Sequence, residues 1–100
     1  MNRRLIRYKA KPGRADENQR LIEAVFQELR EAKPEGVRYM VLRMADDSFA
    51  HFVELDAATN PLQTLDAFRK FSSTAGDRAE APPVASDVTV IGDYRMLENR

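Results

Sequence analysis

The chain has no cysteine, no tryptophan and a single histidine, His51, in 100 residues. Without cysteine there is no disulfide framework and no thiolate nucleophile. One histidine, with no carboxylates clustered at ligand spacing, leaves no metal site of the common kind. The four glycines form no phosphate-cradling loop. An excess of either charge is missing too, because 16 Lys and Arg balance 16 Asp and Glu. That balance argues against nucleic-acid binding, which needs a basic face. The one local excess (Arg3, Arg4, Arg7, Lys9, Lys11) reads as solvated strand edges. No apolar run approaches the length of a membrane span. Arg3 and Arg4 lead into only two apolar residues, so no signal peptide is expected. These absences predict a soluble, cytoplasmic protein without a metal.

What is present is the pattern of one small α+β domain spanning residues 1–100. Leu5 to Lys9 reads as a strand, closed by the Lys11-Pro12-Gly13 turn. From Arg14 to Lys33 the apolar residues Leu21, Ile22, Val25, Phe26, Leu29 and Ala32 recur at helical spacing. Asp16 and Glu17 sit in the first turn, where the helix dipole favours carboxylates, and Asp16 lies one turn from Arg20. Pro34 and Gly36 end this helix. Val37–Met44 and Phe49–Leu55 flank Asp46-Asp47-Ser48, which predicts a β-hairpin. Asn60-Pro61 predicts a cap and the start of a second helix, with Leu65, Phe68, Phe71 and Ala75 on its apolar face and Gly76 as its end. Pro82-Pro83 excludes regular structure, and Asp87 to Tyr94 reads as the last strand.

The order β-α-β-β-α-β is the ferredoxin-like pattern of a four-stranded antiparallel sheet. Two helices cover one face of such a sheet. The second strand is apolar on both sides, with Val37, Tyr39 and Val41 opposite Met40, Leu42 and Met44. A second copy packed face to face would cover the remaining face, giving a homodimer of the dimeric α/β-barrel kind. A small domain with no staple also gains stability from such association.

Polar residues on apolar faces mark the candidate site. Asn18 lies at the centre of the first helix's stripe. Ser72 falls beside Phe68 and Leu65, and Thr64 near Phe71. His51 alternates with Phe49, Val53 and Leu55. Buried polar groups need a hydrogen-bond partner, and a few of them converging in an apolar pocket is the usual form of a small-molecule site. Each has a plainer reading. Asn18 could lie where the stripe runs out into water, Ser72 could bond back to a carbonyl one turn earlier, and a lone strand histidine is most often a satisfied core residue. The facing of His51 depends on the hairpin: an even loop pairs it near Leu42, an odd loop with Val41 and Arg43. Tyr39 and Arg43 share a face and could contribute a hydroxyl and a charge. Tyr8 and Tyr94 read as packing residues with a wet edge, and Met40 and Met44 as core.

The element order, the Lys11-Pro12-Gly13 turn, the Gly36-Val37-Arg38-Tyr39 strand entry and the Asn60-Pro61-Leu62 helix start together resemble the antibiotic biosynthesis monooxygenase (ABM)-like family. The resemblance runs from about Arg4 to about Tyr94. It implies a homodimer with pockets between sheet and helices, and an oxygenase that uses no cofactor on a small aromatic phenol or quinol. The family's haem-degrading branch uses a Trp and a helix-borne His, which this chain lacks. In the oxygenase reading His51 transfers or orients a proton, while Asn18, Tyr39, Arg43, Phe68 and Ser72 bind the substrate. The alternative is a non-catalytic dimeric small-molecule-binding or stress-response module, since no complete catalytic set is recognisable. An isomerase or decarboxylase on the same scaffold is a third possibility, separable because it needs no oxygen.

Overall fold

Lys11-Pro12-Gly13-Arg14 folds as a tight turn in which the Arg14 amide donates to the Lys11 carbonyl at 3.0 Å. Proline sets the second position of such a turn, and the third needs positive φ, which Gly13 supplies at 80°. The turn passes the chain from strand β1 (Asn2–Lys9) to helix α1 (Ala15–Ala32). Lys33 closes α1 in the left-handed conformation, its amide donating to the Leu29 carbonyl at 2.8 Å. Then follow β2 (Val37–Arg43), β3 (Ser48–Leu55), a 3-10 turn (Pro61–Thr64), α2 (Asp66–Arg78) and β4 (Val84–Asp87). This computed structural model describes residues 2–56 and 60–97.

The sheet order is β2-β3-β1-β4, with every neighbouring pair antiparallel. This is the ferredoxin-like α+β arrangement that the element order predicts. Both helices lie on one face, over a core built on Ile22, Val25, Phe49 and Phe71 and a smaller cluster of Val53, Leu62 and Leu65.

The hairpin settles the register. The Asp47 amide donates to the Met44 carbonyl, the Met44 amide donates to the Ser48 carbonyl, and Asp47 has φ of 66°. This is a three-residue loop whose last residue is left-handed, a conformation aspartate tolerates. The Asp46 carboxylate accepts from the Ser48 amide at 3.0 Å and reinforces the bend. The odd loop pairs His51 with Val41 and Phe49 with Arg43. On β1, Ile6 faces His51 and Tyr8 faces Phe49. Tyr8, Tyr39 and His51 therefore point toward the helices, while Leu5, Met40, Leu42 and Phe52 point away. Met40 and Met44 are not helix-side core: Met40 is half-buried on the outer face and Met44 is 41% exposed.

Three boundaries depart from the sequence reading. Asn60 does cap a turn, its side chain accepting from the Leu62 amide. That turn is a single 3-10 one, because Leu65 is extended and buried against the smaller cluster, and α2 starts only at Asp66. Gly76 does not end α2, which continues to Arg78. Its end is fixed by tertiary pairing. Ala79 bridges Ala10, the Lys11 amide donates to the Arg78 carbonyl and the Glu80 amide to the Lys9 carbonyl. The last strand is not Asp87–Tyr94 but Val84–Asp87, paired with Arg4–Arg7 of β1. After the Val88 amide has bonded to the Arg3 carbonyl, β1 has almost no further residue to offer. The β-forming run that follows lacks a neighbour, and Ile91 is wholly exposed.

Candidate functional site

Between the helices and the sheet, five side chains form one continuous line of hydrogen bonds through otherwise apolar packing. The Arg78 Nε donates to Asn18 Oδ1 at 2.9 Å. Asn18 Nδ2 donates to Tyr8 Oη at 2.9 Å. Tyr8 Oη lies 2.9 Å from His51 Nε2, and Tyr39 Oη 2.5 Å from His51 Nδ1. The residues come from α2, α1, β1, β3 and β2. All five come from separate strands and helices that only the tertiary fold brings together, so the line ties the whole domain across its core.

Burial is deep at the centre. Asn18 is 0%, Arg78 1% and His51 4% exposed. Aromatic rings wall the histidine, with Phe71 at 5.5 Å, Tyr8 at 5.3 Å and Tyr39 at 5.8 Å between centroids. Phe26 stacks on Tyr39 at 5.0 Å. Burial disfavours the charged form of each group. It pushes the His51 pKa down to about 4 and that of Tyr39 well up. At Tyr8 burial also raises the pKa, opposed by the Asn18 hydrogen bond and the Arg78 charge. At neutral pH the histidine is neutral and both phenols keep their protons.

Arg78 is the unusual member. Burying a charge is costly unless it is paired and hydrogen-bonded, yet among the described residues no carboxylate lies within ion-pair distance of it. It is satisfied by acceptors instead. Besides Asn18, its guanidinium donates to the Thr74 carbonyl at 3.1 Å, the Thr74 hydroxyl at 2.5 Å and the Phe71 carbonyl at 3.0 Å. It also lies over the Phe71 ring at 5.3 Å. Among the described residues no buried side-chain polar atom is left without a partner.

The residues picked out from the sequence divide. Asn18, His51 and Tyr39 are brought together, and Asn18 does not run out into solvent. Phe68 packs beside them, half-buried, 6.4 Å from Phe71. Arg43 shares their face of the sheet but lies at its end. It bonds Asp16 at 3.0 Å, Gln19 at 2.6 Å and Asp47 at 2.7 Å, so it fastens β2 to the start of α1, and Asp16 pairs with it rather than with Arg20. Ser72 stands apart. Its side chain is exposed and bonds only to the Arg69 carbonyl at 3.3 Å, the local back-bonding that serine favours in helices. Thr64 is likewise exposed and bonds the Pro61 carbonyl.

Tyr8 and Arg78 are the members that sequence reading missed. Tyr8 alternates with Ile6 on β1, so its facing was visible but its partner was not. Tyr94, grouped with it as a packing residue, is instead 85% exposed. Arg78 carries no signal, because a cation in the last turn of a helix ordinarily complements the dipole in water.

Three hollows adjoin this region. One, of about 440 Å³, lies at the Arg78 end of the line and is lined by Arg14, Glu17, Leu21, Thr74 and Arg78, among others. A cleft of about 220 Å³ at the β2 edge is lined by Phe26, Leu29, Arg30, Pro34, Val37 and Tyr39, among others. On the opposite face of the sheet, an open hollow of about 830 Å³ lies between the segment after β4 and Met40 and Phe52. No group of His, Asp or Glu among the described residues could hold a metal, and none of the described helices is long and apolar enough to cross a membrane.

No family model matches the chain, and no curated protein does. Solved structures match over nearly its full length. A Bacteroides thetaiotaomicron protein described as a "putative antibiotic biosynthesis monooxygenase" superposes with a TM-score of 0.74 at 18% identity, covering 90% of this chain and 89% of its own. A Nitrosomonas europaea protein of the same description gives 0.73 at 14% identity, over 92% of this chain and 100% of its own. Rv0793 of Mycobacterium tuberculosis gives 0.72 at 14% identity, over 92% and 96%. At such identities the likeness is one of fold, and the fold is that of ABM-like proteins.

Proposed function

We propose that the protein is a cofactor-independent monooxygenase acting on a small aromatic phenol or quinol. The observation that carries this reading is the buried polar line centred on His51, set in an apolar interior of a fold shared with proteins described as monooxygenases. In this reading the substrate ring enters the β2-edge cleft against Phe26 and Tyr39. The phenol loses its proton to solvent, and the phenolate passes an electron to dioxygen. The two radicals combine at a ring carbon bearing hydrogen, and the peroxide so formed takes a proton back. Loss of water, made of the outer oxygen, that proton and the ring hydrogen, leaves the other oxygen on the substrate as a carbonyl. The protein contributes burial, orientation and a polar group near the developing charge.

The role of His51 is narrower than that of an open base. Both ring nitrogens are engaged by tyrosine hydroxyls, and burial holds the ring neutral. It therefore orients Tyr8 and Tyr39 and passes protons between them. Arg43 and Ser72 take no part, since neither meets the line. Oxygen uptake over a panel of phenols and quinols tests the reading. A folded His51→Ala protein with undiminished uptake would remove the proposed role.

One observation favours the second reading, a non-catalytic binding module. Every buried polar side-chain atom among the described residues is already satisfied within the chain, as in a purely structural core. Saturable binding of phenols without oxygen uptake would support it.

The assembly proposed for either reading is a homodimer in the cytoplasm. Leu5, Met40 and Phe52 are partly exposed on the outer face, and Leu42 is 52% exposed. The segment after β4 adds Ile91, Tyr94, Met96 and Leu97, all at least 60% exposed. Apolar patches of this extent are rare on monomers, and a second copy fits the need.

A further inference from the structure

The polar line has a direction, and counting its hydrogens shows where it ends. Arginine can only donate, so the Asn18 atom facing Arg78 at 2.9 Å is the amide oxygen. The Asn18 NH2 group therefore faces Tyr8 and donates into its oxygen. Beyond Tyr8 lie two contacts, Tyr8–His51 and His51–Tyr39. Three hydrogens are available for them: two hydroxyl hydrogens and the one N–H of a neutral imidazole. One hydrogen is surplus, and it belongs to one of the two tyrosines.

Chemistry decides which. A hydroxyl that accepts from an amide backed by a guanidinium is polarised into a better donor, so Tyr8 gives its hydrogen to His51 Nε2. His51 then carries its proton on Nδ1 and donates to Tyr39 Oη. The surplus hydrogen is that of Tyr39, a residue that lines the β2-edge cleft with Phe26, Leu29, Pro34 and Val37 and with the cations Arg30 and Lys33.

We infer that Arg78 acts through Asn18 and Tyr8 as a positioning residue, holding His51 in its Nδ1–H tautomer so that the Tyr39 hydroxyl hydrogen is offered to an acceptor oxygen of a flat, apolar-ringed ligand in the β2-edge cleft. The ligand class is a phenolate or ring carbonyl. This rests on the polar line being the functional site, and it does not require that oxygen chemistry occurs there.

The same count supplies a reversing substitution. In Asn18→Asp the carboxylate accepts from both Arg78 and Tyr8. Tyr8 then turns its hydrogen toward position 18 and accepts from His51 Nε2–H, while Tyr39 donates to Nδ1. All three hydrogens are used, the tautomer flips, and Tyr39 has nothing left to offer. The substitution also gives Arg78 a buried counter-ion, which offsets the cost of burying the new carboxylate.

The experiment is nitrogen-15 NMR of labelled histidine, with 4-nitrophenol titrated into the same samples. The wild-type protein should show Nδ1 protonated and Nε2 bare above pH 6, and Asn18→Asp should show the reverse. Affinity for 4-nitrophenol should fall about threefold to tenfold in both Tyr39→Phe and Asn18→Asp, the loss of one hydrogen bond. An Nε2–H tautomer in the wild type, or an unchanged tautomer in Asn18→Asp, would overturn the directional argument. The ligand half is overturned by absent wild-type binding, or by equal binding to wild type and Tyr39→Phe. Failure of oxygen uptake with every quinol would sink the oxygenase and leave the tautomer result standing.

Discussion

The two faces of one sheet are finished in opposite ways. The helix-facing side is closed by the chain itself: His51, Tyr8 and Tyr39 are held by directional hydrogen bonds, and Phe49 and Val53 are buried to 1% and 7% exposure. The outer side has the same strands and the opposite alternation, yet Leu42 stays 52% exposed, beside Met40 and Phe52, which are partly exposed. On the inner face, therefore, substitutions should act on folding. On the outer face they should act on association, with folding of the single chain little changed.

The largest effect that sharpens this contrast belongs to the outer face. Met40→Asp or Phe52→Asp would bury a carboxylate in the proposed dimer interface, costing several kcal/mol where no partner awaits it. The dimer dissociation constant should rise by roughly 100-fold or more, read by sedimentation equilibrium, with native circular dichroism retained. A wild-type protein already monomeric at micromolar concentration would break the comparison. Leu42→Asp, in the same register, should act in the same direction.

Next is an acid effect confined to the inner face. His51 titrates near 6.5 when unfolded and about 4 when folded. Between those values the unfolded chain binds a proton that the folded chain refuses, so stability falls as pH drops. The full loss is about 3 kcal/mol, complete near pH 4 and absent above pH 7. Urea unfolding of wild type and His51→Gln across this range should give curves whose difference has that slope. Parallel curves would show that the ring is not held neutral.

How far the sequence carried this picture depends on what each feature rests on. The α+β order followed from local signals: the Pro12-Gly13 turn, the helical stripe from Leu21 to Ala32, the Asp46-Asp47 bend. Asn18 and His51 stood out because polar residues interrupted apolar faces. What stayed hidden was non-local. Arg78 lies 60 residues from Asn18, and nothing in its neighbourhood separates a buried cation from a solvated one. Gly76 failed as a helix end, and 88–94 as a strand, for a shared reason. The pairing of Ala10 with Ala79 and the end of β1 near Asn2 decide them, and neither shows in the segment itself.

Asn18 tests whether that hidden partner matters. Asn18→Leu keeps the branched shape, with bulkier methyl groups, but removes both bonds, stranding the Arg78 Nε donor and taking from Tyr8 Oη the hydrogen it accepts. Leaving a buried donor without its partner costs about 1–3 kcal/mol, on the order of 10 °C in Tm for a domain of this size. A neutral or stabilising result, in a thermal melt, would mean that the line is tolerated rather than structural.

The smallest effect comes from the residue that the same sequence argument grouped with Asn18. Ser72 also interrupts an apolar face, beside Phe68 and Leu65, but α2 is rotated so that its side chain meets water. Its one bond, to the Arg69 carbonyl three residues back at 3.3 Å, competes with solvent and weakly with the helix. Ser72→Ala removes that competition and replaces serine by the better helix former, a difference of a few tenths of a kcal/mol in favour of the helix. The expected outcome is a Tm unchanged or slightly raised, and 4-nitrophenol affinity equal to wild type. Asn18→Leu and Ser72→Ala measured side by side thus separate residues that look alike in sequence. If Ser72→Ala destabilised by more than about 1 kcal/mol, beyond what exposed substitutions ordinarily cost, helix α2 would have to present a different face to the core than the one described.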